Sequence, residues 1–83
     1  MKKSGGPFAQ PEIPSTDANG LMVPPWVKYP NIPRQSVGWR MGVGEHYLEE
    51  FGSWWDRQPR AKRLELQGAY VEPEEWAGFY KSL

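Results

Sequence analysis

The residues that could do chemistry are few, and they cluster between positions 36 and 63. His46, the chain's one histidine, stands four residues before Glu50, and Glu45 stands four before Glu49. On a helix, imidazole and carboxylate groups at this spacing share a face and can share a metal ion. A metal needs three or four such donors together, whereas the apolar pattern puts these on the solvent side. The expectation is an exposed acidic face and no metal. A nucleophile–base pair would need His46 with Ser36 or Ser53, and neither serine has the strand–turn–helix surroundings of a nucleophile elbow. Ser53 lies seven residues from His46, about 10.5 Å along a helix axis. Carboxylate pairs can serve as general acid and base, but a chain this short leaves little room for a water-excluding pocket. The sequence therefore points away from an enzyme and implies no cofactor.

Two further stretches invite an anion. Gly42-Val43-Gly44 leads into a helix start, where backbone N–H groups can hold a phosphate, with Arg40 as the clamp. No Lys-Ser/Thr follows, as a P-loop requires, and Glu45, Glu49 and Glu50 would repel the ligand. The expectation is a tight turn with a positive φ. Arg57, Arg60, Lys62 and Arg63 form a basic cluster beside Trp54 and Trp55, which could stack bases and bind phosphates. Acidic residues flank the cluster on both sides, and the formal net charge is zero. Nucleic acid is therefore the alternative partner rather than the first. Pro30-Asn31-Ile32-Pro33-Arg34 has the shape of an SH3 ligand; the spacing of Trp26, Tyr29 and Ile32 favours self-packing instead.

The elements that must position these groups follow from composition. The 83 residues suffice for one small domain, and there are no cysteines, which excludes a disulfide scaffold and a thiolate zinc site. Only 39% of residues are hydrophobic, and no run approaches the ~20 apolar residues of a membrane span. Lys2 and Lys3 precede Ser4-Gly5-Gly6-Pro7 rather than an apolar run, unlike a signal peptide. A soluble, cytoplasmic protein without membrane contact is expected.

Residues 1–25 are rich in proline and glycine, with Phe8 as their one aromatic. They read as a disordered or extended arm. From Trp26 onward the eleven aromatics outnumber the nine Val, Ile and Leu residues. Each large ring buries roughly 150–250 Å², so rings must close the core, and residues 26–83 are expected to form the folded unit.

Within Glu45–Arg57, Tyr47, Leu48, Phe51, Trp54 and Trp55 fall in an arc of about 120°. This predicts a helix starting near Gly44, with Gly52 admitting a close neighbour. A second helix is expected from Pro59 to residue 67 with Gly68 as its stop. A third is expected from Pro73, carrying Trp76, Phe79, Tyr80 and Leu83 on one stripe. Gln35–Met41 alternates polar and apolar residues, as a short strand or a packed loop does. The fold class is mainly α: a three-helix unit with an irregular, aromatic-rich N-terminal wrap.

Phe51, Trp54 or Trp55, Trp76 and Tyr80 are the expected core. One or two rings among Trp26, Trp39, Trp55 and Phe79 should stay partly exposed. Excess aromatics, balanced charge and the lack of a catalytic constellation point to a protein-binding module serving a larger partner as inhibitor, adaptor or accessory subunit. The expected contacts are Trp39 with Arg40, the edge formed by Trp26 and Tyr29, and the acidic face of Glu45, Glu49 and Glu50.

Overall fold

A computed structural model describes residues 12–83. Helix α1 spans Pro25–Lys28, α2 Val43–Asp56 and α3 Arg60–Ala69; 3₁₀ turns occupy Val37–Trp39, Glu74–Trp76 and Tyr80–Ser82. Among the described residues the one strand-like pairing is an isolated antiparallel bridge between Thr16 and Met22. The chain is mainly helical, with an irregular aromatic-rich wrap ahead of α2.

Helix α2 forms where the apolar arc predicts it. Gly42, at φ 87°, turns the chain into the helix, and Glu45 lies in the first turn, where a carboxylate complements the positive end of the helix dipole. Gly44, Tyr47, Phe51 and Trp55 are buried. Two side chains add a second hydrogen bond to carbonyls at the helix end that already accept backbone N–H groups: Gln58 Nε2 donates to Trp54 O at 3.0 Å and Arg63 Nε to Trp55 O at 3.0 Å. The Arg63 guanidinium also lies over the Trp55 ring, 5.4 Å from its centroid.

Pro59 is the N-cap of α3 rather than its first residue, with an extended ψ of 163°. Gly68 does not stop this helix. It runs on to Ala69 and ends at Tyr70, where both the hydroxyl and the carbonyl are engaged elsewhere: Tyr70 Oη donates to Asp17 Oδ2, and Tyr80 Oη donates to Tyr70 O, each at 2.7 Å. The third helix expected from Pro73 takes a tighter form, two 3₁₀ turns separated by Gly78 at φ 88°. Glu72 holds this break, one carboxylate oxygen accepting from Gly78 N at 3.1 Å and the other from Tyr80 N at 2.7 Å. The apolar stripe ends at Tyr80, since Leu83 is exposed.

Of the arm expected at 1–25, residues 1–11 lie outside the described residues. The remainder does not behave as an arm. Leu21, Val23, Pro24 and Pro25 are buried, so the packed unit begins before Trp26. Asp17-Ala18-Asn19-Gly20 turns the chain onto the body. Asp17 Oδ1 accepts from Asn19 N and Leu21 N at 2.9 and 3.0 Å, and Gly20 supplies φ 81°. A short carboxylate bonding to the backbone ahead of it, followed by a glycine at positive φ, is standard turn chemistry. Lys28 Nζ donates to the Ile13 carbonyl and holds the segment from its other end.

The core has two joined parts. Leu21, Val23, Tyr47, Phe51, Trp55 and Leu66 form one, and Ile32, Trp39 and Trp76 the other; Tyr29 and Phe79 pack against both. Trp26 and Phe79 are partly exposed, as expected, whereas Trp39 and Trp55 are buried. Ile32 lies inside the second cluster, so the Pro30–Arg34 segment packs on its own fold. Gly52 admits no close neighbour: a Cβ built there meets nothing within 4 Å. The close approach lies instead at Gly44, where a Cβ would stand 2.2 Å from the Gly38 carbonyl oxygen.

Two predictions follow from this geometry. Gly52→Ala should raise stability by about 0.5–1 kcal/mol through helix propensity, whereas Gly44→Ala should lower it by about 1–3 kcal/mol through overpacking; urea midpoints at constant slope measure both. The second concerns the Asp17–Tyr70 hydrogen bond, which holds Asp17 below the ordinary 3.8 and raises Tyr70 from 10.0 to about 12. A lowered carboxylate contributes stability above its unfolded value and loses it as pH falls through the folded value; a raised tyrosine contributes below its unfolded value and loses it as pH rises. The contribution of the pair should thus be full between 3.8 and 10.0 and decline below 3.8 and from 10.0 towards about 12. Tyr70→Phe should flatten the acid limb of a plot of urea midpoint against pH, and an unchanged limb would dismiss the bond's role.

Candidate functional site

The 36–44 segment is built to hold one ring in and three apolar side chains out. Ser36 accepts Gly38 N on its hydroxyl at 3.0 Å, starting the 3₁₀ turn. Arg40 N and Met41 N both donate to Val37 O, at 2.8 and 3.1 Å. With about three residues per turn, Arg40 stacks over Val37 while Trp39 points elsewhere. Trp39 is 4% exposed. Its Nε1 donates to Pro33 O at 2.9 Å, and its ring meets Trp76 edge-on, 5.1 Å between centroids. Gly44 seats the start of α2 against Gly38 and Trp39. What remains outside is Val37 at 52%, Met41 at 61% and Val43 at 53% exposure, beside the exposed Arg40.

The solvent side of α2 runs on from this turn. Glu45, Glu49 and Glu50 are exposed, and His46 Nε2 stands 3.1 Å from a Glu50 oxygen. Between this face and the 15–22 turn lies an open groove of about 450 Å³, lined by Ser15, Thr16, Met22, His46, Glu49, Glu50, Ser53, Trp54 and Arg57. Among the described residues no three His, Cys, Asp or Glu side chains stand together as a metal site, and no helix is long and apolar enough to cross a membrane.

The structure separates the expected contact residues into two groups. Arg40, Glu45, Glu49 and Glu50 are exposed. Trp39 is not a surface anchor, because the 3₁₀ turn rotates it inward and its indole N–H is already bonded. Trp26 is half-buried against Trp76, Phe79 and Tyr80, at 5.5, 5.5 and 5.7 Å between centroids. Tyr29 stands edge-on to Tyr47 at 5.6 Å, and burial raises its hydroxyl pKa. Both rings join core clusters rather than forming a free edge.

The basic residues also divide. Arg57 and Arg60 are exposed, Lys62 pairs with Glu65 at 3.2 Å, and Arg63 caps α2. Reading from sequence missed Val37, Met41 and Val43. The signal was present: three large apolar residues interleaved with Gly38, Gly42 and Gly44, in a stretch too glycine-rich to bury them all. No family model, curated protein or solved structure matches the chain.

Trp39→Ala should cost about 3–5 kcal/mol, a large share of the 5–15 kcal/mol typical of a domain. Met41→Ala should stay within about 0.5 kcal/mol. Chemical denaturation of the two variants checks this, and a small loss for Trp39→Ala would mean that the ring is not structural.

Proposed function

We propose that this protein is a non-enzymatic protein-binding module, a small inhibitor, adaptor or accessory subunit that acts on a larger cytoplasmic partner. The observation that carries the reading is the exposure of Val37, Met41 and Val43 within seven residues, across the 3₁₀ turn and the first residue of α2, on a backbone that Ser36, Trp39 and Gly44 hold. A scattered exposed side chain is ordinary on a protein surface, whereas three large apolar side chains exposed in one short segment beside charged residues make a candidate interaction site. Arg40 on the turn and Glu45 just beyond it supply the polar rim that such interfaces have. The turn is anchored from below, so little ordering entropy remains for the partner to offset.

The chain's other features fit this reading without a cofactor. Lys62 and Arg63 are occupied within the fold, which leaves Arg57 and Arg60 as a small remnant of the basic cluster and favours protein over nucleic acid as the partner.

Pull-down with the tagged full chain, with and without nuclease, tests the reading. A stoichiometric protein should survive nuclease and be retained about tenfold less by Met41→Glu, the loss expected on removing an interface anchor. Near-ultraviolet circular dichroism should show that variant folded. Partners that vanish on nuclease treatment would transfer the function to Arg57 and Arg60. Equal retention by Met41→Glu would remove the 37–43 turn from the interface.

A further inference from the structure

The groove beside Trp54 has a chemistry of its own. It is an open groove of about 450 Å³. Met22 and Trp54, both half-buried, give it apolar walls. The Trp54 ring is braced by Phe51, 5.9 Å between centroids and tilted 34°. Glu49 and Glu50 line the same groove and are exposed. Glu50 has His46 beside it; Glu49 has no ion-pair partner among the described residues. Ser15, Thr16 and Ser53 add hydroxyls along the walls.

An aromatic ring beside two carboxylates, with a thioether next to it, suits a cation on an apolar stem. The ring quadrupole attracts the cation, the stem covers the apolar walls, and the carboxylates accept hydrogen bonds from it. A planar guanidinium meets both demands, stacking on a ring while its fork of N–H groups reaches a carboxylate, whereas an ammonium is a strongly hydrated point charge. We infer that the groove takes an arginine side chain from an exposed basic segment of a partner protein. The inference rests on the protein-binding reading above but uses a surface separate from the 37–43 turn. Arg57 also lines the groove and opposes the incoming charge, so the site is a weak reader by itself and contributes selectivity within a larger interface.

The test uses the full chain and a capped Gly-Ser-Arg-Ser-Gly peptide, with citrulline and glutamate versions as controls. The arginine peptide should saturably shift the Trp54 indole N–H resonance. Citrulline keeps the shape without the charge and should bind about fivefold more weakly, as should the arginine peptide to Glu49→Gln/Glu50→Gln; Arg57→Gln should bind it about twofold more tightly. The glutamate peptide should leave the resonance unmoved. Equal binding of arginine and citrulline, or shifts that bypass Trp54, would overturn the inference. So would binding about threefold tighter in Lys2→Ala/Lys3→Ala, since the chain's own lysines would then be the competing occupant. The peptide assay needs no partner and Met41→Glu leaves its groove intact, so its failure and that of the binding-turn reading are told apart.

Discussion

Flat rings must do in this chain what branched aliphatic side chains do in most cores, and flat rings close a volume only when they meet at angles. Trp39 meets Trp76 at 90°, Trp76 meets Phe79 at 90°, and Phe79 lies tilted against Phe51 on α2. Trp55 and Tyr80 are the near-parallel exception, at 16°. Aromatic pairs in such offset and edge-on arrangements gain about 0.5–1.5 kcal/mol beyond the area they bury. Phe79 touches rings from both halves of the core, which makes the C-terminal 3₁₀ turns a structural requirement of α2 and not an appendage. Their polar tips do a second job. Tyr47 Oη donates to Val23 O, Tyr80 Oη to Tyr70 O and Trp39 Nε1 to Pro33 O. The two tyrosines satisfy carbonyls of irregular segments that no sheet or helix would pair, and the indole adds a second bond to Pro33 O, which also accepts from Ser36 N. Burial is the leading reason that the Tyr47 and Tyr80 hydroxyls hold their protons more tightly than a free tyrosine.

This same economy explains the proposed binding surface. Once Trp39 is driven inward, the short 3₁₀ turn has no second face to bury, and Val37 and Met41 are left in water. The contact of Gly44 with Gly38 allows no slack by which the turn could fold them under. Exposure here is the geometric by-product of fixing one indole. A binding surface made this way is rigid, because the groups that hold it belong to the core.

Sequence periodicity served well where one element carried its own pattern. The arc of Tyr47, Phe51 and Trp55 located α2, and positive φ at Gly42 was readable from the glycine pair. Periodicity failed where tertiary partners decided. Residues 73–83 show a helical stripe, yet Glu72 takes the Gly78 and Tyr80 amides and Gly78 breaks the run. Leu21 and Val23 sit among prolines and glycines, so composition hid them. The Asp17–Gly20 turn that folds them back was a local signal of the kind that composition averages away. The inward position of Trp39 depended on a choice between extended and 3₁₀ backbone, under which the same alternating residues point in different directions. For the candidate site, the acidic face was legible because exposure follows from the helix arc. The groove was not, since its second wall comes from the 15–22 turn, which is docked by distant partners such as Tyr70, 53 positions away from Asp17.

That long-range closure bears on how the chain folds. Leu21 and Val23 precede α2 in the chain, and Tyr70, Trp76, Phe79 and Tyr80 follow it. Helix α2 by itself has an aromatic face that only these distant segments cover. Bringing distant segments together costs loop-closure entropy before any packing repays it. The aromatic face of α2 is therefore covered only once segments from both sides of it in sequence have closed onto it.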